Sequence, residues 1–341
     1  MPARIAERCL AVRRAHPTWG PVKVRSWLAE RRPRTQWPAA STIGELFDRE
    51  GLTVKRRLRR RSPPSGVPFA PCAAANDVWC IDFKGWFVTG DGARCEPLTL
   101  SDAHSRYLLR CQALARTDTD HVWPVLEAAF REFGLPRRLR SDNGPPFASS
   151  GAGGLTQLAV KVVKAGVLPE RIEPGKPQQN GRLERLHLTL LQDIAQPPAA
   201  TLRAQLERLR RFQRIYNDER PHQALGNETP AKHYAASPRR FEGVLREPDY
   251  GADHSVRRVR HNGEIRWQGN TIYISAALIG EPVGLIEGDG GWSACYGPIA
   301  LGIIAHGDDR LRRPKRDACG HVDNAARCPQ GPQSQQPEQQ N

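Results

Sequence analysis

The apolar positions near the start of the chain recur at helical spacing. One stripe of "VKVRSWLAERR" predicts a helix over residues 22–32, and it consists of Val22, Val24, Trp27 and Leu28. The segment "STIGELFDREGL" predicts a second helix, with Ser41 as its N-cap and Gly51 as its C-terminal stop. Two short helices followed by the basic run "KRRLRRR" at 55–61 are typical of a helix-turn-helix with a basic arm. A solvated helical hairpin is the alternative.

Strand-like and helix-like patterns alternate further along the chain. "DVWCIDFKGWFV" is rich in β-branched and aromatic residues, and "EPLTLSDAHSRYLLRCQAL" predicts two more strands around a turn. A helix ("HVWPVLEAAFREFG"), a strand ("PRRLRSD"), a helix ("GLTQLAVKVVKAG"), a strand ("RIEP") and a helix ("NGRLERLHLTLLQDI"), with Asn180 as N-cap, follow in that order. Three strands and then alternating helices and strands predict an α/β domain with a mixed sheet.

The pattern of hydrophobic residues changes in the C-terminal third of the chain. Residues 201–217 predict one more helix, whose apolar face consists of Leu202, Leu206, Leu209 and Phe212. Short alternating runs punctuated by glycine then predict a small β-barrel-like domain. The predicted organisation is a DNA-binding head (1–61), a Pro- and Ala-rich linker (62–76), an α/β core (77–197), its helical extension (198–240), the β domain (253–307) and a disordered Gln- and Pro-rich tail (308–341).

The distribution of charge along the chain indicates a binding partner. The 341 residues carry a net charge of +15, of which residues 1–61 contribute +11. A basic head on a nearly balanced body predicts binding to a polyanion such as nucleic acid. The eight cysteines form no C-x-x-C pair, which indicates reduced thiols in a cytosolic protein and argues against a zinc site. We expect no membrane span and no signal peptide, because no apolar run is long enough for either.

Three carboxylates stand out against this background. Asp82 lies inside the first predicted strand between Ile81 and Phe83, where an acid is costly unless it is paired or binds a cation. Asp142 ends the fourth strand in the turn "SDNGPPF". If the two strands are neighbours, the two carboxylates lie close together and a divalent cation would relieve their repulsion. Taken alone, Asp142 is an ordinary turn residue.

Glu184 is the third carboxylate, one turn into the predicted helix after "GKPQQNG". Taken alone, it could form a helix-surface pair with His187 or Arg185. Together with the two aspartates it supplies hard oxygen ligands, which suit Mg²⁺ or Mn²⁺ rather than zinc. Such a site can hold two ions roughly 3.5–4 Å apart, as in-line displacement at phosphorus requires.

The blocks "WCIDFKGWF", "SDNGPPF" and "GKPQQNGRLERLH" resemble the catalytic blocks of DDE transposases with a retroviral-integrase-type core, which bacterial insertion sequences encode. "NDERPHQALGNETPAKHY" resembles the segment after that core, and "HPTWGPVKVRSWL" with "WPAASTIGELFDREGL" resembles a helix-turn-helix of the same family. The resemblance implies a multidomain α/β protein with a ribonuclease-H-like mixed-sheet core, a catalytic and metal-binding triad of Asp82, Asp142 and Glu184, and a C-terminal DNA-binding β domain.

Two features depart from the resemblance. Asp142 and Glu184 are separated by 41 residues, more than in retroviral integrases, and we expect the extra length in the loop "SSGAGG". Related transposases carry a further helix-turn-helix upstream, so we expect this chain to be a shortened form.

The predicted function is that of a transposase that binds the ends of its own element, nicks DNA with Mg²⁺ or Mn²⁺, and transfers the strand as a homo-multimer in the bacterial cytoplasm at the nucleoid. A truncated, non-catalytic DNA-binding product and a structure-selective nuclease are the alternatives.

His222 is interpreted as structural. The predicted DNA-binding residues are Lys84, Lys176, Gln179, Arg182, Arg185, Lys55, Arg56 and Arg57.

Overall fold

The computed structural model describes residues 1–53, 72–172 and 181–312. The basic arm, most of the linker, Asn180 and the tail beyond Arg312 lie outside these residues. No described helix is both long and apolar enough to cross a membrane. The chain divides into two compact units: unit 1, with residues 1–116, 124–140 and 174–240, and unit 2, with residues 117–123, 141–173 and 241–341.

Three helices form the head at the start of unit 1: α1 (Ala3–Ala15), α2 (Pro21–Arg31) and α3 (Ala40–Arg49). Their common core contains Trp19, Val24, Leu28, Ile43 and Phe47. Gly51 ends α3 as predicted, with a φ of +68° and its N–H bonded to the carbonyl of Asp48.

The predicted N-cap of α3, Ser41, is wrong. Ala39 is the N-cap, and no side chain caps this end of the helix. The amide of Ile43 already bonds to the carbonyl of Ala39, so the helix begins before Ser41 is reached.

A mixed sheet forms the centre of unit 1, as predicted. Its strands in chain order are β1 (Val78–Phe83), β4 (Pro97–Asp102), β5 (Leu108–Ala113) and β6 (Arg138–Ser141), and a small ribbon of β2 (Phe87–Val88) and β3 (Arg94–Cys95) lies between β1 and β4 in sequence. The strands of this sheet that belong to unit 1 stand in the order β5-β4-β1-β6. β1 runs antiparallel to β4 and parallel to β6.

Helices cover both faces of this sheet, which explains why β1 lacks an alternating pattern. On one face Val78 and Cys80 share a core with apolar residues of two helices. On the other face the Trp79 ring packs against Phe130, with centroids 5.9 Å apart. The covering helices are α4 (Thr119–Phe133), α6 (Gly181–Leu190) and α7 (Leu202–Arg214).

The predicted apolar face of α7 is confirmed. Leu209 and Phe212 are buried in the core, and Leu202 and Leu206 pack partly buried against it.

Within residues 141–173, unit 2 contains α5 (Gln157–Lys164), which Thr156 caps by accepting from the amide of Ala159 at 3.1 Å. The next strand, β7 (Leu168–Arg171), starts earlier than the predicted "RIEP" strand and ends at its first residue. The reason is the tight stop of α5: Gly166, at a φ of +80°, turns the chain into the strand with almost no connecting loop.

The C-terminal part of unit 2 is an antiparallel sheet with the order β14-β13-β12-β11-β8, together with a separate β9–β10 hairpin. The last strand lies where the disordered tail is predicted to begin, because Leu311 and Arg312 pair with β13. The strands are β8 (Ser255–Arg258), β9 (Glu264–Trp267), β10 (Asn270–Tyr273), β11 (Pro282–Gly288), β12 (Gly291–Tyr296), β13 (Ile299–Ile304) and β14 (Leu311–Arg312).

This sheet and α5 share one hydrophobic core within unit 2, which we call the α5–sheet core. It includes Val160 and Val163 of α5 and Ile265, Tyr296 and Leu301 of the strands. The "SSGAGG" loop joins the same core through a short turn at Ala152–Gly154. A Cβ at Gly153 would meet side-chain atoms of Ile299 and Leu301 at 3.0 Å, so the loop lies directly against β13.

Candidate active site

Asp82 lies half-buried on β1, opposite Thr99 of β4. The Thr99 hydroxyl is 3.2 Å from the backbone carbonyl of Asp82 and 2.8 Å from Nε2 of His187. His187 Nδ1 in turn lies 4.0 Å from Asp82 Oδ2. These contacts place α6 directly beside Asp82.

His187 is a neutral ring at this position. Burial, and after it the positive charge of Lys84, lower the pKa of His187 to about 4. An imidazole with that pKa is uncharged near neutral pH, so its approach to Asp82 is not an ion pair. The ring therefore lies beside Asp82 without neutralising the carboxylate.

Glu184 lies exposed on α6, one turn before His187. Helix residues three apart are neighbours on the surface, so the turn that carries Glu184 lies close to the one that contacts Asp82. The alternative interpretation, in which Glu184 pairs with His187, does not hold here because His187 contacts Asp82 and Thr99 instead. Unit 1 thus brings Asp82 and the Glu184 turn together.

Asp142 belongs to unit 2 and follows β6 directly. Its Oδ1 accepts from the amide of Gly144 at 3.1 Å, which closes the turn. A Cβ at Gly144 would lie 3.1 Å from Asp142 Oδ2, so glycine permits this close approach. The Asn143 side chain donates to the carbonyl of Ile172 at 2.8 Å and ties the turn down. Asn143 and Gly144 therefore shape the turn that presents Asp142.

The donor chemistry of the three carboxylates fits a hard cation such as Mg²⁺ or Mn²⁺. Among residues 1–53, 72–172 and 181–312, however, no group of three His, Cys, Asp or Glu side chains stands assembled for a metal ion.

The predicted DNA-contacting residues fall into three groups. Lys84 is half-buried and acts electrostatically on His187. Arg182 donates to the carbonyl of Ala103, which ties its guanidinium to the turn after β4, and both Arg182 and Arg185 are exposed. Outside the described residues lie Lys176, Gln179, Lys55, Arg56 and Arg57.

Sequence reasoning missed the contact between His187 and Asp82. The sequence signal was the spacing of Glu184 and His187 in "ERLH", but that spacing equally suits a surface pair on one helix. Only the packing of α6 against β1 and β4 shows which partner the ring has.

An integrase core domain model matches residues 73–177, and a second model with the same description matches residues 165–230. The chain is 29% identical over 205 residues to the insertion element IS407 uncharacterized 31.7 kDa protein of Burkholderia multivorans, across 57% of this chain and 70% of the relative. It is 27% identical over 203 residues to the insertion element IS476 uncharacterized 39.2 kDa protein of Xanthomonas euvesicatoria, across 58% of this chain and 57% of the relative.

Solved retroviral structures are also similar. The HTLV-2 integrase catalytic core domain in complex with magnesium is 14% identical, with a TM-score of 0.34, over 47% of this chain and 96% of that one. A simian T-cell lymphotropic virus intasome is 14% identical, with a TM-score of 0.41, over 84% and 91%. These low scores support no functional inference. On the family matches and curated relatives, the resemblance to bacterial insertion-element transposases with an integrase-type core is confirmed, and the matches to integrase core domain models span residues 73–230.

Proposed function

We propose that this protein is a transposase that binds the ends of its own insertion element, nicks the DNA there and joins the freed 3′-hydroxyl to target DNA. Integrase core domains belong to proteins of DNA integration and transposition, and the curated relatives are insertion-element products. The observation that supports nicking and strand transfer is the position of Asp82. This acid lies on a central strand, beside the helix that bears Glu184.

Strand register supports including Asp142 in the same site. β1 and β6 run parallel, with Cys80 opposite Arg140. Asp82 and Asp142 each follow two residues later along their own segments. We therefore propose that the catalytic triad consists of Asp82, Asp142 and Glu184.

These three residues would hold the divalent cations. When bound, the cations supply activation of a water or 3′-hydroxyl and stabilisation of the leaving oxygen. Neutral His187 keeps Asp82 in place without competing for its charge, since the ring is uncharged near neutral pH. Lys84, close to the ring, contributes the positive charge that attracts a DNA phosphate. Joining two element ends requires more than one copy of the chain, so we propose that the protein acts as a homo-multimer on DNA.

An end-processing assay tests the proposal. The protein is incubated with Mg²⁺ or Mn²⁺ and labelled duplexes from the DNA that flanks its gene, beside Asp142→Asn. Glu207→Gln is the matched control, because this carboxylate is exposed on α7. We expect metal-dependent nicking at one discrete position in the wild type and in the control, and none in Asp142→Asn.

Two other outcomes would contradict the proposal in different ways. Binding without nicking in every form would favour a non-catalytic DNA-binding product. Nicking that persists in Asp142→Asn would remove Asp142 from the active site.

A further inference from the structure

One face of the small β2–β3 ribbon in unit 1 is exposed and carries Trp86, Val88 and Arg94. Trp86 directly precedes β2, which consists of Phe87 and Val88. Phe87 packs against the core that contains Leu183 of α6, so its neighbours Trp86 and Val88 lie on the opposite side of the ribbon. Arg94 pairs with Val88 across the ribbon and is exposed as well. We call Trp86, Val88 and Arg94 the ribbon face.

Trp86 is unusually exposed for its size. The residue is 59% exposed, the highest value of any large hydrophobic residue in the described ranges. Tryptophan is highly buried on average, because its ring has a large apolar surface to remove from water. A single exposed apolar side chain needs no partner in general. This ring differs from that general case because its orientation is fixed and because it lies close to Asp82.

Arg94 holds the Trp86 ring in place. The guanidinium carbon of Arg94 lies 5.2 Å from the ring centroid, within the range of a cation–π contact. Glu96 Oε2 in turn accepts from Nε of Arg94 at 3.1 Å and from its Nη2 at 2.6 Å, which fixes the guanidinium. A ring whose orientation is set beforehand loses little conformational freedom when a ligand stacks on it.

The β2–β3 ribbon is itself anchored to the rest of unit 1. In its turn, the Gly90 amide donates to the carbonyl of Ala199 at 2.9 Å, and Asp91 Oδ2 accepts from the amide of Leu202 at 3.1 Å. A Cβ at Gly90 would lie 2.9 Å from the carbonyl oxygen of Ala200, so the turn is in close contact with the segment before α7. Trp86 therefore stands on a rigid support.

Trp86 lies close to Asp82 because only three residues separate them in the chain. The Lys84 amide donates to the carbonyl of Pro97 at 2.9 Å, so pairing with β4 continues to within two residues of Trp86. At about 3.3–3.6 Å per residue, the Cα atoms of Asp82 and Trp86 are at most about 14 Å apart. Neighbouring nucleotides of one DNA strand rise by about 3.4 Å, so this distance corresponds to about four nucleotides. A DNA strand bound at Asp82 thus passes within reach of the ring.

The chemistry of the ribbon face suits a nucleobase that has left the base stack. Bases inside a duplex are covered on both faces by their neighbours, whereas an unpaired base offers a free face that can stack on an aromatic ring. Val88, 44% exposed, extends the apolar surface beside the ring. A second protein is a poorer fit, because a stable protein interface takes about 20–30 residues from each partner and the ribbon face has three.

We propose that Trp86 stacks on an unpaired base of the element end, within about four nucleotides of the phosphate that is cleaved at Asp82. The inference rests on the proposed function, which supplies the DNA end. It adds to that function a contact with a base, which the three carboxylates do not provide. By holding one base out of the stack, Trp86 keeps the strand in register with Asp82, and Arg94 keeps the ring in its stacking orientation.

The test is binding measured by fluorescence anisotropy in EDTA, with the full chain and labelled duplexes from the DNA that flanks its gene. One series of duplexes carries a single mismatched base pair that is moved step by step along the DNA. A second series carries an abasic site in place of a mismatched base at each step. At one or two successive positions, the wild type should bind the mismatched duplex about 5- to 150-fold more tightly than the abasic one, as expected for stacking on one aromatic ring.

Three variants isolate the contribution of the ring. Trp86→Ala should bind the mismatched and abasic duplexes equally at every position, and Trp86→Phe, which keeps an aromatic face, should retain part of the preference. Val88→Ala is the matched control, because it removes an exposed apolar side chain from the same ribbon face, and it should behave like the wild type. A variant that misfolds weakens binding to both duplexes together, so the ratio of the two affinities reports the stacking.

A measurement on the wild type alone guards against a Trp86→Ala chain that does not fold. With 2-aminopurine as the unpaired base, stacking on the indole ring should quench its fluorescence at the position of the tightest binding. Val88→Ala should quench it equally.

A Trp86→Ala chain that keeps the wild-type preference for an unpaired base would overturn this role and leave the proposed transposase intact. So would a wild type that binds these duplexes without such a preference at any position. A Trp86→Ala chain that changes only its oligomeric state, measured by sedimentation, would assign the ring to a protein interface and also overturn the inference. A wild-type chain that binds none of the duplexes would overturn both this inference and the proposed function.

Discussion

Two aspartates on neighbouring strands of unit 1 show how partners, more than position, decide the role of an acid. Asp102 is 1% exposed and accepts from the amides of Asn76 at 2.8 Å and Ser105 at 2.7 Å, and from the Ser105 hydroxyl at 2.7 Å. Its oxygens are committed to holding the turn after β4. Asp82 instead faces a neutral ring and lies beside the helix of Glu184.

Asp102→Ala should lower the free energy of unfolding by about 3 kcal/mol, because it leaves buried donors without an acceptor. Urea denaturation of the full chain measures the change. Asp289→Ala, at an exposed position in unit 2, is the control and should stay within about 0.5 kcal/mol of the wild type. A similar small change for both variants would show that the Asp102 hydrogen bonds contribute little.

His187→Ala should reduce nicking about 10- to 100-fold and raise the metal concentration needed for half-maximal rate, because Asp82 loses the ring that positions it. Duplex affinity in EDTA should not change. His187→Gln can keep a nitrogen near the Thr99 hydroxyl and should recover part of the rate. Equal nicking rates for His187→Ala and the wild type would rule out this positioning role.

At the scale of elements, the sequence predicts those helices and strands that hydrophobic periodicity and turn residues define. The strand with Asp82, the helix with Glu184 and the apolar face of α7 are where their patterns place them. The N-cap of α3 and the β7 strand are misplaced by a few residues, since one backbone hydrogen bond or one tight glycine turn decides them.

Packing between elements could not be predicted in the same way. The pattern of α5 shows an apolar face but does not show what covers it. That the C-terminal strands cover it depends on contacts between residues far apart in sequence. For the same reason the sequence suggested carboxylates that could meet but offered His187 only a partner on its own helix, Glu184.

The connection between α6 and α7 depends on one buried amide. Gln205 is fully buried, its Oε1 accepts from the amide of Ala199 at 2.8 Å, and its Nε2 donates to the carbonyl of Ile194 at 3.1 Å. Gln205→Leu should destabilise the protein by about 2–4 kcal/mol, because both backbone groups lose their partners. Thermal melting measures the loss, and Glu207→Leu, on the exposed side of α7, should change the melting temperature little. A Gln205→Leu variant that melts like the wild type would refute this account.

At the scale of the whole molecule, the net charge follows the predicted domain boundaries, whereas the hydrophobic cores do not. The head carries most of the net positive charge, as the sequence indicates. Unit 2, in contrast, combines residues 141–173, which fall inside the match to an integrase core domain model, with the C-terminal strands. α5 therefore packs in the same hydrophobic core as the C-terminal strands, while the sheet of unit 1 has a core of its own with α6 and α7.

A chain that ends at residue 240 should be poorly soluble, because it exposes the α5 side of the α5–sheet core. Each apolar side chain such as Val160 or Val163 then loses about 1.5–3 kcal/mol of burial. The soluble fraction after expression is the measurement. A chain that ends at residue 312 keeps all described strands and should behave like the full protein. A soluble chain of residues 1–240 with one cooperative melting transition would contradict the shared core.

The α5–sheet core also has a consequence for folding during translation, because its parts are synthesised at different times. α5 leaves the ribosome about 140 residues before Ile304, the last buried strand residue of that core. At about 5–20 residues per second, the apolar face of α5 waits roughly 7–30 s for the strands that cover it. During each round of translation the nascent chain thus passes through an interval in which a completed helix has no cover, and chaperone binding or aggregation competes with folding in that interval.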